Sequence, residues 1–153
     1  MSILGLAITL VVLFCVTATS RMPAAYYLDL PAVLIVVFGS AGTVLLAYGA
    51  QVGVALKAAF SRRAVPEELR IGATVFEKWK TYALAWGFVR MIVAWIAVFA
   101  GPGTFGASTR PHALLLGFGA ALITPLWGVI FAYAVASPLA SRCARRIEPS
   151  AGG

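Results

Sequence analysis

Carboxylates are scarce in this chain of 153 residues, with five Asp and Glu against twelve Lys and Arg and a net charge of +7. All five, Asp29, Glu67, Glu68, Glu77 and Glu148, lie between or beside the long apolar runs and none lies deep within one. That excludes a proton relay or carboxylate dyad assembled at membrane depth from this chain alone. His112 is the single histidine, so one chain can build neither a His-based triad nor a multi-His metal site. Cys15 and Cys143 have no partner at CxxC or zinc-ligand spacing and read as ordinary thiols. There is no phosphate loop, no GxGxxG fingerprint and no nucleophile elbow. No enzyme activity and no cofactor or metal are expected. The basic residues cluster at the ends of apolar runs, where membrane lipid and topology account for them, so nucleic acid is not an expected partner.

What the chain has in abundance is apolar sequence. Hydrophobic residues make up 61% and charged residues 11%, against roughly 25% charged in a soluble domain. The reading is an all-α integral membrane protein, a single membrane domain over 1–153 with four transmembrane helices and a short cytoplasmic helical extension. The spans are expected at about 2–20, 31–50, 81–100 and 112–140, with a loop over 51–80 and a basic tail over 141–153. Pro31 suits the first turn of the second span, where its missing N–H costs nothing. The breaker Gly-Pro-Gly at 101–103 closes the third. The fourth run exceeds the bilayer, so it should tilt or project. The first lacks a basic n-region, which favours retention over cleavage as a signal peptide.

Orientation follows from the basic residues. Lys57, Arg62, Arg63, Arg70, Lys78 and Lys80 lie in 51–80, and Arg142, Arg145 and Arg146 in the tail, against Arg21 and Arg110 in the other two loops. The positive-inside rule places both termini and the 51–80 loop in the cytoplasm. Within that loop, VPEELRIGATVFEKWK reads as a helix entered through Pro66, with Glu67 and Glu68 favouring its positive end, running on into the third span. An amphipathic helix lying on the lipid surface is the alternative for this stretch.

The third span, YALAWGFVRMIVAWIAVFAG, carries a cation near its middle. Ala83, Gly87, Arg90, Ala94 and Ala97 recur at steps of 4, 3, 4 and 3, a small-residue packing stripe that includes Arg90. A charge there costs about 2.5 kcal/mol or more on insertion scales, so a partner is required. No carboxylate of the chain sits at that depth. Backbone carbonyls with water, or an acid from another polypeptide, are the two candidates. Elsewhere, Pro125 releases the carbonyl of Ala121 beside the Thr124 hydroxyl. Ser40 and Thr43 in the second span stand next to Gly39 and Gly42, which permit close approach. These hydroxyls either line a polar path or satisfy their own backbones while the glycines pack helices.

The wording of several segments is specific. YLDLPAVLIVVFGSAGTVLLAYG resembles the second-span region of the A subunit of flagellar stators, in the MotA/TolQ/ExbB proton-channel family, where an acidic residue, a proline and a Gly-Ser/Thr pair recur in that order. ALKAAFSRRAVPEEL is similar to that subunit's first cytoplasmic helix and turn, and GATVFEKWKTYALAWGF to its last cytoplasmic helix entering the third span. GFGAALITPLWGVIFAYAVASPLASR is similar to its fourth span, and the resemblance covers about 26–142. It implies a bacterial inner-membrane homopentamer surrounding the transmembrane helices of two copies of a single-span partner, whose aspartate carries the proton. It further implies that Ser40, Thr43 and Thr124 lie near that partner's helix pair and that Pro138 matches a proline implicated in conformational change. Apart from the resemblance, Arg90 and Gly128 are expected on the ion path or partner-facing side, and Pro125 in the conformational role. The large cytoplasmic insertion of the stator subunit is missing between PEEL and GATVFEK. Leu84 replaces a family proline, and Arg90 and Met91 replace a Gly-Thr pair. A cation in place of that hydroxyl favours protons over Na⁺. The alternative expectation is a non-conducting scaffold ring that organises an envelope partner.

Overall fold

The computed structural model describes Val11, Cys15, Tyr27 and residues 29–61, 63–100 and 117–147. The expected first span, the Gly-Pro-Gly breaker, His112 and the end of the tail lie outside the described residues. Those described are helical, with no strand among them: α1 (Leu30–Tyr48), α2 (Gln51–Phe60), α3 (Pro66–Ala100), α4 (Ile123–Ile130), a π-helical segment (Phe131–Ala136) and α5 (Ser137–Ile147). Among the described residues, two helices are long and apolar enough to cross a membrane, Leu30–Tyr48 and the composite Gly117–Ile147.

Helix α1 starts where its chemistry dictates. The Asp29 carboxylate accepts the N–H of Ala32 at 3.3 Å, and Pro31 occupies the first turn. Its buried residues, Ala32, Val36, Ser40 and Val44, recur every fourth position and form one narrow stripe. The rest of the surface is apolar and uncovered, Leu46 being 91% and Phe38 69% exposed. A helix apolar all round but buried on one seam is built for hydrocarbon on its remaining faces. Gly49, at φ +52°, turns the chain into α2, and its N–H closes on the carbonyl of Leu45 at 2.8 Å.

Helix α3 is continuous over 35 residues, about 52 Å at 1.5 Å per residue, well beyond the roughly 30 Å of a hydrocarbon core. Entry through Pro66, Glu67 and Glu68, and the unbroken run into the third apolar segment, are as the sequence indicates. Glu68 also reaches back to the N–H of Val65 at 3.3 Å and pairs with Lys57 of α2 at 3.0 Å. The larger core cluster lies at this end: Val52, Ala55, Ala58 and Ala59 of α2 pack with Leu69 and Phe76 of α3 and with Cys143 of α5. Gly72 makes room for the Cys143 sulfur, which lies 3.0 Å from where a Cβ at 72 would stand. The sequence suggested a loop over 51–80 and a basic tail here, and the structure adds this core cluster. The small side chains of α2 let three helices approach closely enough to make one.

The fourth apolar run, expected at 112–140 with Pro125 disturbing its helix, is interrupted at two places among the described residues. Pro125 has no N–H to give the carbonyl of Ala121, and its ring crowds that turn. The helix loosens at Leu122, whose N–H is shared between Phe118 and Gly119, and Leu126 bonds Leu122 only at 3.4 Å. A second disturbance precedes Pro138. Unable to bond the carbonyl of Ala134, the chain widens into the π segment, with the N–H of Ser137 reaching five residues back to Ala132. The helix then runs to Ile147, so residues 141–147 of the basic tail are helical.

Candidate functional site

Helix α3 organises the residues singled out in the sequence, because α1 packs on one of its stripes and α4 on another. Along the α1 seam, the Trp79 indole donates to the Ser40 hydroxyl at 3.0 Å, and the Trp86 indole to the Thr43 hydroxyl at 2.8 Å. Each hydroxyl in turn donates to its own helix, Ser40 to the carbonyl of Val37 and Thr43 to that of Gly39. Helical side chains lean toward their own N-terminus, which brings the Trp86 ring down over Gly39. A Cβ there would lie 2.6 Å from Cδ2 of the indole. Glycine at 39 is therefore demanded by an aromatic face, and Ser40 is fully buried.

The second stripe brings backbones together. A Cβ at Gly87 would stand 3.1 Å from Cα of Pro125 and 3.3 Å from the carbonyl oxygen of Thr124, and one at Gly128 would stand 3.0 Å from the carbonyl oxygen of Ala83. Thr124 is 3% exposed and Ala83 is fully buried. This is the close small-residue crossing of membrane helices. The stripe at Ala83 and Gly87 is buried as its spacing suggests, but it opens upward: Arg90 and Ala94 are half-buried and Ala97 is exposed.

Arg90 falls by helical spacing between the two stripes, one turn above Gly87. Among the described residues it makes no hydrogen bond or ion pair. The antiparallel register that sets Ala83 against Gly128 and Gly87 against Pro125 puts Ala121, whose carbonyl Pro125 releases, at the level of Arg90. Backbone therefore offers there a carbonyl that lacks its usual helical donor, and no carboxylate of the described residues accompanies it. Pro138 lies apart, half-buried in α5 at the far end of the π segment.

No protein-family model matches the chain, and no curated protein does. The likeness to the MotA/TolQ/ExbB family rests on its sequence motifs. Among the described residues there is no cluster of His, Cys, Asp or Glu able to hold a metal ion.

Sequence reasoning overlooked the tryptophans. Trp79 and Trp86 satisfy the two hydroxyls, and Trp127 donates its N–H to the carbonyl of Tyr27 at 2.9 Å. Partners separated by 39 and 43 positions leave no periodic trace, although a buried indole does require an acceptor. The Arg146 guanidinium was also missed: it bonds the carbonyls of Ala58 and Ser61 at 3.2 and 2.8 Å, closing the C-terminal end of α2.

Proposed function

We propose that the chain is a four-span subunit of a proton-driven motor complex of the bacterial inner membrane. It forms a homopentamer around the transmembrane helices of a dimeric single-span partner and passes protons by that partner's aspartate. Both termini and the 51–80 segment face the cytoplasm. The observation that carries this reading is Arg90, a half-buried cation in an apolar helix for which the described residues supply no acid. A carboxylate from another polypeptide at about 4 Å would contribute roughly 4 kcal/mol at an effective dielectric of 20. That offsets the roughly 2.5–3.5 kcal/mol that a mid-membrane arginine costs. Arg90 pairs with the partner's acid in one state and releases it for protonation in another. Thr124, Gly128 and Pro125 support that state from the adjoining crossing, and Pro125 and Pro138 supply the give in the fourth span.

A second reading has an observation of its own. Ser40 and Thr43 each donate to a carbonyl and accept from an indole within the chain, which favours a scaffold ring in which these hydroxyls hold α1 to α3. The test is isolation of the full chain from its native membrane in mild detergent, followed by mass measurement and proton-flux assays in vesicles. Five copies with two copies of an Asp-bearing single-span protein, and flux lost in Arg90→Ala and reduced in Thr124→Val, support the motor. The same assembly without flux supports the scaffold. A lone monomer with no second protein defeats both.

A further inference from the structure

Beside the crossing lies a groove that neither reading uses. Between α1 and the composite fourth helix, two apolar cavities share Val37, Phe131 and Val135 as walls. The one on the Val33 and Trp127 side has a volume of about 110 Å³. The one on the Phe60 and Leu139 side has about 220 Å³. The indole N–H groups in these walls are already spent, Trp79 on Ser40 and Trp127 on Tyr27. A polar ligand would find nothing to bond. A helix, 10–12 Å across with its side chains, is far too thick for such volumes. A single hydrocarbon chain suits both the apolar lining and volumes of this size.

The end of the groove at Phe60 and Leu139 is basic. Arg146, seven residues beyond Leu139 and on the same face of α5, bridges to the carbonyls of Ala58 and Ser61 and so ties α5 to α2 beneath the opening. Arg142, one turn beyond Leu139, and Arg63, three residues past Phe60, are both exposed. We propose that this groove binds one acyl chain of an anionic phospholipid of the cytoplasmic leaflet, whose phosphate is held by Arg142 and Arg63. The proposal needs α1 and the Gly117–Ile147 helix to lie in a bilayer with this end inward; it does not need proton conduction or the Asp-bearing partner.

The full chain is reconstituted in vesicles of equal phosphatidylglycerol and phosphatidylcholine, re-extracted in detergent, and its retained lipid counted by native mass spectrometry. About one lipid per chain is expected, with phosphatidylglycerol preferred about tenfold or more, and Arg63→Gln and Arg142→Gln each lowering that preference about fivefold. Val37→Trp fills the wall common to both cavities and should abolish retention. The two arginine variants alter exposed positions and keep the test valid if Val37→Trp fails to fold. Equal retention of the two lipids overturns the proposal. So does a preference unchanged in both arginine variants, retention unaffected in a folded Val37→Trp chain, or an assembly that retains no lipid because a neighbouring copy fills the groove.

Discussion

Gly39→Ala inserts one carbon where the Trp86 indole already lies. Ordinary contact begins near 3.4 Å, and the new carbon would sit 2.6 Å from Cδ2 and 2.9 Å from Cε2 and Cε3, so the ring must retreat by 0.8 Å or α1 must part from α3. Overpacking of this kind costs about 1–3 kcal/mol. A displaced ring also weakens the 2.8 Å bond to Thr43, worth about 1 kcal/mol. The better helix propensity of alanine returns up to about 1 kcal/mol. The net expectation is a loss of about 1–3 kcal/mol from these terms. Equilibrium unfolding in mixed micelles with rising SDS measures it, and a double-mutant cycle with Trp86→Leu assigns it. Without the indole, the alanine should be neutral or stabilising, giving a coupling of about 1 kcal/mol or more. An equal loss in both backgrounds would refute the packing argument.

Three further outcomes follow from the end of the bundle where α2, α3 and α5 meet. Arg146→Ala leaves the last carbonyls of α2 without their guanidinium, which should cost about 1–3 kcal/mol and raise amide hydrogen exchange across 51–61 while α1 stays protected. Glu68 is held below the ordinary carboxylate pKa of 4.5 by its hydrogen bond with Lys57 and then by the N–H of Val65. Its folded pKa is the lower one, so its contribution is complete above 4.5 and disappears as pH falls through the depressed value. Glu68→Gln should therefore destabilise the wild-type chain at pH 7 and converge with it in acid, and parallel pH curves would contradict that. Cys143, buried against Gly72, should react with maleimide far more slowly in the folded Cys15→Ala chain than in SDS; equal rates would place the thiol at the surface.

The start of α3 was legible because proline and two glutamates announce a helix N-terminus by residue type alone. So was the small stripe at Ala83 and Gly87, because helix contact in lipid selects small residues at three- and four-residue steps. The two interruptions of the Gly117–Ile147 helix were legible only in part. Pro125 and Pro138 mark where N–H groups are missing, but residue type does not say that one proline loosens the turn before it while the other widens a turn into a π segment. The hydroxyls of Ser40 and Thr43 were visible as residues and not as bonds. Their acceptor capacity is used by indoles about 40 positions away, and residue order carries no sign of that pairing. Arg90 presents the reverse case: its need for a partner is plain from depth alone, and the fold leaves that need unmet within the described residues.

After its first residue, α3 contains no proline and no change of helix type, whereas the adjoining rod from Gly117 to Ile147 is softened at two points. The two are therefore unequal in stiffness. Tilting a strut of about 52 Å by some 5° swings its far end by roughly 4–5 Å, so a small displacement beside Arg90 would reappear, undiminished, where Glu68 meets Lys57. The compliant rod would absorb the same push at its prolines and transmit little of it.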